Sequence, residues 1–383
     1  MKFYKTKQYM RFSYFIFSVI VLSSCNNQEK QVATDIWTFD VTQEYPKKEL
    51  YIQDIADVEY LPLETNDSML WLGRDLDYLD EEYIIGCNPL TNNILFHNRE
   101  GKALHTFNRI GTGPGEYDGA RRINYDKANN EVYVLDYIRC RYYIYDDKGN
   151  FKRSYHTGHS LKNPVKSFFI LGDELIEYSA ENTYSRLSKQ TGELLGRFSF
   201  GSDSKFGLSY YQNNDKIDCA TNYFIKDKDG YILTAFASDT TWLLTPDMNM
   251  KPIGVRTPPI ASMEVPIFLK PIKNTLRYYF MYTIKRATKY PMEIYMLDKK
   301  EKQIYWLASE LKNKDFIGQK VHLDASGGMS EADIPANISI QSMAPSWLID
   351  AYNEGKLSGR LKEIAANLKE EDNPVFMIIK FRE

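Results

Sequence analysis

The chain has 383 residues, 48 basic and 51 acidic side chains, a formal net charge of −3, 43% hydrophobic and 26% charged residues. That composition is typical of a globular protein, the length suits one large core or two domains, and the charge excludes the strongly basic field that nucleic-acid binding requires. Its 29 tyrosines lean towards strands, because aromatic side chains suit a half-buried pleated surface.

In chain order, Lys2, Lys5, Lys7 and Arg11 form a basic start, followed by an apolar run from Phe12 to Leu22 and then "LSSC" from Leu22 to Cys25. The run is too short to span a bilayer, which takes about 20 apolar residues. Basic, then apolar, then small residues is the order of an export signal. "LSSC" could belong to an ordinary signal peptide. With its position and flanks it resembles the bacterial lipobox, in which cleavage leaves Cys25 as the lipidated first residue. Residues 1–24 then read as a lipoprotein signal peptide and residues 25–49, beginning "CNNQEKQVATD", as a polar tether. Residues 1–24 carry four positive charges and no negative one, so their removal takes the net charge from −3 to −7. The anchor implies a membrane partner, reached through the lipid and not through a spanning helix.

From residue 50 onward the chain repeats. The segments 81–107, 130–156, 173–200 and 229–255 each read as apolar strand, break, strand, polar turn, strand. Their turns, "REGK", "DDKG", "KQTG" and "DMNM", place Gly101, Gly149, Gly192 and Asn249 at spacings of 48, 43 and 57 residues. Those residue types tolerate positive φ, and periods of about 40 to 50 with strand character indicate propeller blades. "YIIGC" and "VYVLD" are nearly continuous apolar runs, as expected of strands covered on both faces. A more polar, channel-lining strand precedes each repeat: "GRDLDYL" (73–79), "ARRINYD" (120–126), "VKSFFIL" (165–171) and "NYFIKD" (222–227). "RYYFMYTI" (277–284), "MEIYMLD" (292–298) and "QIYWLA" (303–308) give a fifth blade. A sixth requires "VEYLPLE" (58–64) to pair with "VFMIIKF" (375–381), which would close the ring and remove exposed edges. Between them, Leu357, Leu361, Ile364, Ala365 and Leu368 fall at helical spacing, with Ser358 as cap and Pro374 as stop.

"RIGTGPGEY" (109–117) is the most glycine-rich stretch. A phosphate loop needs GxxxxGK[ST] and a dinucleotide loop needs GxGxxG ahead of a helix. Neither pattern is present. Gly111, Gly113, Pro114, Gly115, Glu116 and Tyr117 therefore read as a structural turn between blades one and two. Arg74, Arg121 and Arg122, on the presumed channel strands, are the candidate ligand-binding residues. They would meet an anionic or sugar ligand there, or pair with Asp75 and Asp77. His156 and His159 lack a third ligand, "DKDG" (227–230) lacks the distal acid of a calcium loop, and Cys87, Cys140 and Cys219 form no CxxC pair. No metal, cofactor or catalytic residue is expected. One disulfide and three buried thiols both remain open.

"DIADVEYLPLET" (54–65), "RIGTGPGEY" and "LKEIAANLKEEDNPVFMIIKF" (361–381) resemble, in this order, the six-bladed β-propeller lipoproteins of Bacteroidetes, distant kin of NHL-repeat propellers. The resemblance implies an all-β, six-bladed propeller over residues 50–383, exported and held at the outer membrane on its periplasmic or surface face. It implies no defined activity. The expectation for function is a binding or scaffold module with a glycan or envelope protein as partner. The alternative is a glycan-active hydrolase or lyase with its site at the channel mouth. A channel with two carboxyls about 5 to 10 Å apart would favour hydrolysis. One lined by paired charges and tyrosines would favour binding.

Overall fold

The computed structural model describes residues 36–72, 76–120, 122–179, 183–199, 209–212, 215–218, 224–233, 238–285, 292–307, 311–323 and 333–383. Six small antiparallel sheets stand in a ring, giving a six-bladed β-propeller. Blade one comprises Tyr78–Leu79, Tyr83–Cys87, Ile94–Asn98 and Ala103–Phe107. Blade two comprises Arg122–Asp126, Glu131–Asp136, Arg141–Tyr145 and Phe151–His156, and blade three Val165–Leu171, Glu174–Ser179, Tyr184–Ser188 and Leu194–Phe198. Blade four holds Phe224–Asp227, Gly230–Leu233, Thr240–Leu244 and Met250–Thr257, and blade five Ile267–Asn274, Tyr278–Lys285, Met292–Asp298 and Gln303–Trp306. Two hairpins stand outside the blades: Ser209–Gln212 with Asp215–Asp218, and Lys312–Asn313 with Phe316–Lys320.

Continuous apolar strands lie where two blades cover them. All six residues of Glu131–Asp136 are buried, as are all four of Gly230–Leu233. Blade six is assembled from both ends of the domain. Ala56–Pro62 pairs antiparallel with Val375–Phe381 over seven residues, Val58 opposite Ile379 and Tyr60 opposite Met377, and Ile338–Met343 forms the inner strand. The helices Pro345–Asn353 and Gly359–Ala365 fill the connection between these two C-terminal strands. The second begins after Ser358, where the sequence places its cap, although the Ser358 side chain makes no capping hydrogen bond.

Trp37–Asp40 adds a parallel fifth strand to the outside of blade four, so part of the segment read as a tether is sheet. Gly254 permits this: a Cβ there would lie 2.1 Å from the Trp37 ring.

The turn glycines repeat in structure as they do in sequence. Gly101, Gly149 and Gly192 have φ of +80°, +79° and +74°, and a Cβ on each would strike the preceding blade at Pro62 O, Phe107 and Tyr155. Blade four departs from the expectation. The positive φ falls on Met248, at 61°, and not on Asn249. Asn249 instead donates its side-chain amide to Asp247 and offers its carbonyl to Thr245. Four strands are an even number, so the chain enters and leaves each full blade on the same face of the ring. The blade-to-blade connections therefore share one face, and the glycine turns occupy the other.

Candidate functional site: the axis and the first inter-blade turn

The inner strands bring a charged cluster to the axis. Asp333, just ahead of blade six, pairs its backbone with blade one: Leu79 N–H donates to Asp333 O at 3.1 Å, and Asp333 N–H to Asp77 O at 2.8 Å. Its carboxylate forms an ion pair with Lys226 of blade four. Blades one and four are opposite members of a six-membered ring, so this contact spans the axis. Lys273 of blade five is buried and donates to Pro335 O at 3.2 Å. Burial, reinforced by the positive charge of Lys226, pushes its pKa down to about 7. Lys270 is buried on the same strand. Asn274 donates to Asp227 at 2.6 Å. Tyr78 and Tyr231 face this group, and burial, reinforced by nearby carboxylates including Asp333, holds both hydroxyls far above the usual tyrosine range.

Arg122 is half-buried on the inner strand of blade two, opposite Leu135, and its side chain is engaged. Arg74 and Arg121 lie outside the described residues, as do Cys25 and Cys219. The axial pair Lys226–Asp333 was not singled out from sequence. A lysine in the polar channel-lining strand "NYFIKD" was its one local signal.

The glycine-rich stretch folds around its own acid. Gly113 N–H donates to Glu116 Oε2 at 2.8 Å, and a Cβ on Gly111 would lie 2.0 Å from that same oxygen. The groove that a phosphate would need holds a carboxylate supplied by the chain itself. Tyr117 is fully buried, its hydroxyl accepting from Arg109 N at 3.2 Å and donating to Asn92 O at 3.2 Å. Arg139 of blade two donates to Glu116 O at 2.6 Å and Gly111 O at 2.9 Å, and grips Asp118 with two nitrogens. The Tyr145 hydroxyl donates to Gly115 O at 2.7 Å. The carbonyls of this turn are thus tied to blade two.

Ser185, His159 and Glu177 meet between blades two and three. Ser185 Oγ lies 2.9 Å and Glu177 Oε2 3.7 Å from the same ring nitrogen, His159 Nε2, while Asn163 faces Nδ1. A hydrolytic triad needs its acid on the nitrogen opposite the serine. This arrangement also has no opening, since Ser185 and Glu177 are fully buried. Burial raises the Glu177 carboxyl from its ordinary 4.5 to about 8, against the pull of the Gly158 N–H. The folded state therefore holds a proton here that the unfolded chain releases above about 4.5. This contribution to stability is fully present below that pH and is lost as pH rises through 8. Glu177→Gln is expected to match the wild type at pH 5 and to exceed it by roughly 4 kcal/mol at pH 8.5. Urea midpoints at the two pH values measure this, and an unchanged pH slope in the variant would refute the assignment.

His156 Nε2 meets Arg141 at 2.7 Å. Asp227 to Gly230 is a hairpin turn, with Asp229 N–H on Asp227 Oδ1 at 3.0 Å. Cys87 and Cys140 are free thiols. Among the described residues no three or more His, Cys, Asp or Glu side chains gather to hold a metal ion, and no helix is long and apolar enough to cross a membrane.

These features define a six-bladed propeller whose axis is crossed by an ion pair. The chain belongs to the DUF4934 family, a domain of unknown function, whose profile matches residues 36–380. Two solved structures from Bacteroides share the fold. One, a protein named as exported from Bacteroides fragilis, is 15% identical with a TM-score of 0.64, and the match covers 91% of this chain and 100% of that one. The other, a DUF4221 family member from Bacteroides vulgatus, is 12% identical with a TM-score of 0.50, covering 86% of this chain and 99% of that one. No curated protein matches the chain.

Proposed function

We propose that this protein is an exported binding or scaffold module of the cell envelope. Residues 1–24 serve as its signal peptide, and a lipid on Cys25 holds it at the outer membrane, on the periplasmic or surface face. Its ligand or partner meets one face of the ring near the axis. The observation that carries this reading is the Lys226–Asp333 pair across the axis, set among Tyr78, Tyr231 and Lys273. Paired charges and tyrosines suit recognition, because they hold hydrogen-bond donors and acceptors in fixed places. The exported neighbour from Bacteroides fragilis is in keeping with the proposed address. Fold alone does not assign an activity, so the reading rests on the axial residues.

The test is capture from the native envelope by the lipidated protein, with a glycan array in parallel, using wild type and Lys226→Met. The reading expects a defined partner or glycan whose retention falls about tenfold or more in the variant. A bound oligosaccharide that is then cleaved would replace the module with a glycan-active enzyme. Equal retention by both proteins would move the site away from the axis.

A further inference from the structure

A groove of about 520 Å³ opens where Tyr51, just ahead of the closing strand, meets the hairpin Lys312–Lys320. That volume falls within the range of small-molecule sites. Its floor is made of amides. Asn313 Nδ2 donates to Gln319 Oε1 at 2.8 Å, and Asn313 Oδ1 accepts from Gln53 at 2.5 Å and from the Tyr60 hydroxyl at 3.1 Å. The floor is rigid and already satisfied. One wall is the ring of Tyr51, 38% exposed, with the ammonium groups of Lys312 and Lys314 at 5.9 and 5.5 Å from its centroid. Ile317, 68% exposed, forms a lip. Gly318 beside it has φ +82°, and no heavy atom lies within 4 Å of where a Cβ would sit, so the backbone is open to close approach.

Charge decides what such a groove accepts. Lys312 pairs with Glu49 at 3.4 Å and Lys314 with Asp54 at 2.5 Å. Lys47 also reaches Glu49 at 3.8 Å, and Asp315 accepts from Gln53 and the Tyr60 hydroxyl beneath, so three cations and three anions balance around the groove and an entering anion must displace a carboxylate. A neutral polyol instead meets donors and acceptors already held in place around a part-exposed aromatic ring. A pyranose ring supplies both complements, hydroxyls at its edge and a face of C–H groups that stacks on an aromatic ring. We propose that this groove binds a neutral oligosaccharide chain, with Tyr51 as the stacking platform and the two ion pairs as hydroxyl partners. It shares no residue with the axial cluster and stands independently of the reading given for that cluster.

Calorimetric titration of the full-length protein in detergent tests this, with xylohexaose, cellohexaose, maltohexaose, mannohexaose and an oligogalacturonate of equal length as probes. One neutral hexaose is expected to bind, with a Kd that changes less than about twofold between ~50 and ~500 mM salt, because no net charge is neutralised. Tyr51→Phe is expected to retain that affinity and Tyr51→Ala to lose about tenfold or more. Binding of none of the four neutral chains would overturn the proposal, as would binding of the oligogalacturonate alone. Undiminished binding by Tyr51→Ala would do the same. Should Tyr51→Ala melt early, Ile317→Asn decides. It changes only the exposed lip, and an unaltered Kd there places the ligand elsewhere.

Discussion

Ile378→Asp is expected to abolish the folded ring. Ile378 lies in the middle strand of blade six, between Glu59 on one side and Ile340 on the other, and is 2% exposed. It packs with Leu61, Leu95 and Phe376 in the core shared by blades six and one. Removing a buried aliphatic side chain costs about 2–5 kcal/mol, and an unpaired buried carboxylate adds several more. Domain stabilities lie near 5–15 kcal/mol, so most of the margin goes in one substitution. Position compounds the loss, because this strand joins the two ends of the chain. A failed blade six leaves blades one and five each with an uncovered face. Circular dichroism and urea denaturation are expected to show no cooperative transition in the variant. Lys380→Gln, on the exposed side of the same strand, is expected to stay within about 0.5 kcal/mol of wild type. A wild-type urea midpoint for Ile378→Asp would mean that strand pairing at the termini does not hold the ring.

Gly115→Val carries the second large effect. Gly115 has φ +78°, and a Cβ there would lie 2.6 Å from the Phe151 ring. The first feature costs about 1–2 kcal/mol for any L side chain, more for a β-branched one. The second forces Phe151 or the turn to move, typically another 1–3 kcal/mol, and endangers the bond from Tyr145 to the Gly115 carbonyl. A loss of about 3–4 kcal/mol is expected, read as a fall in Tm. Gly318→Val separates the two contributions. It has φ +82° and open space around the Cβ, so only the backbone cost of about 1–2 kcal/mol applies. Equal losses at the two sites would show that the turn packs loosely against blade two. A Gly115 variant that melts normally but loses a bound ligand would make the turn a recognition loop.

The propeller was legible wherever burial writes itself into sequence. Strands covered on both faces become apolar runs, as in Glu131–Asp136, and the channel-lining strand Val165–Leu171 carries its bounds in the sequence. The closing pair was legible because a ring with no exposed edge must join its ends. The inner strand of blade five, Ile267–Asn274, was missed for a physical reason. Pro271 and two lysines interrupt its apolar pattern, yet an inner-edge strand tolerates proline where no ladder partner is needed, and the register shifts there between Pro271 and Lys273. Trp37–Asp40 was read as tether because four residues carry too short a pattern, and its place depends on Gly254, more than 200 residues away. The axial site was least legible. Lys226 and Asp333 are 107 residues apart, and no local spacing announces a contact made across the width of a ring. Asn249 shows the limit of residue propensity: the turn places its positive φ one residue earlier, on Met248, while Asn249 bonds Asp247 and Thr245.

The added strand of blade four has a mechanical consequence. With the proposed lipid anchor in place, tension along the chain ahead of Ile36 would be borne first by Trp37–Asp40, four residues laid against Met250–Thr257. Phe39, fully buried and ringed by Tyr45 and Tyr295, acts there as a bolt. Such a load would enter the flank of blade four before the seam between Ala56–Pro62 and Val375–Phe381. A mooring at that end would leave the clasp of the ring slack.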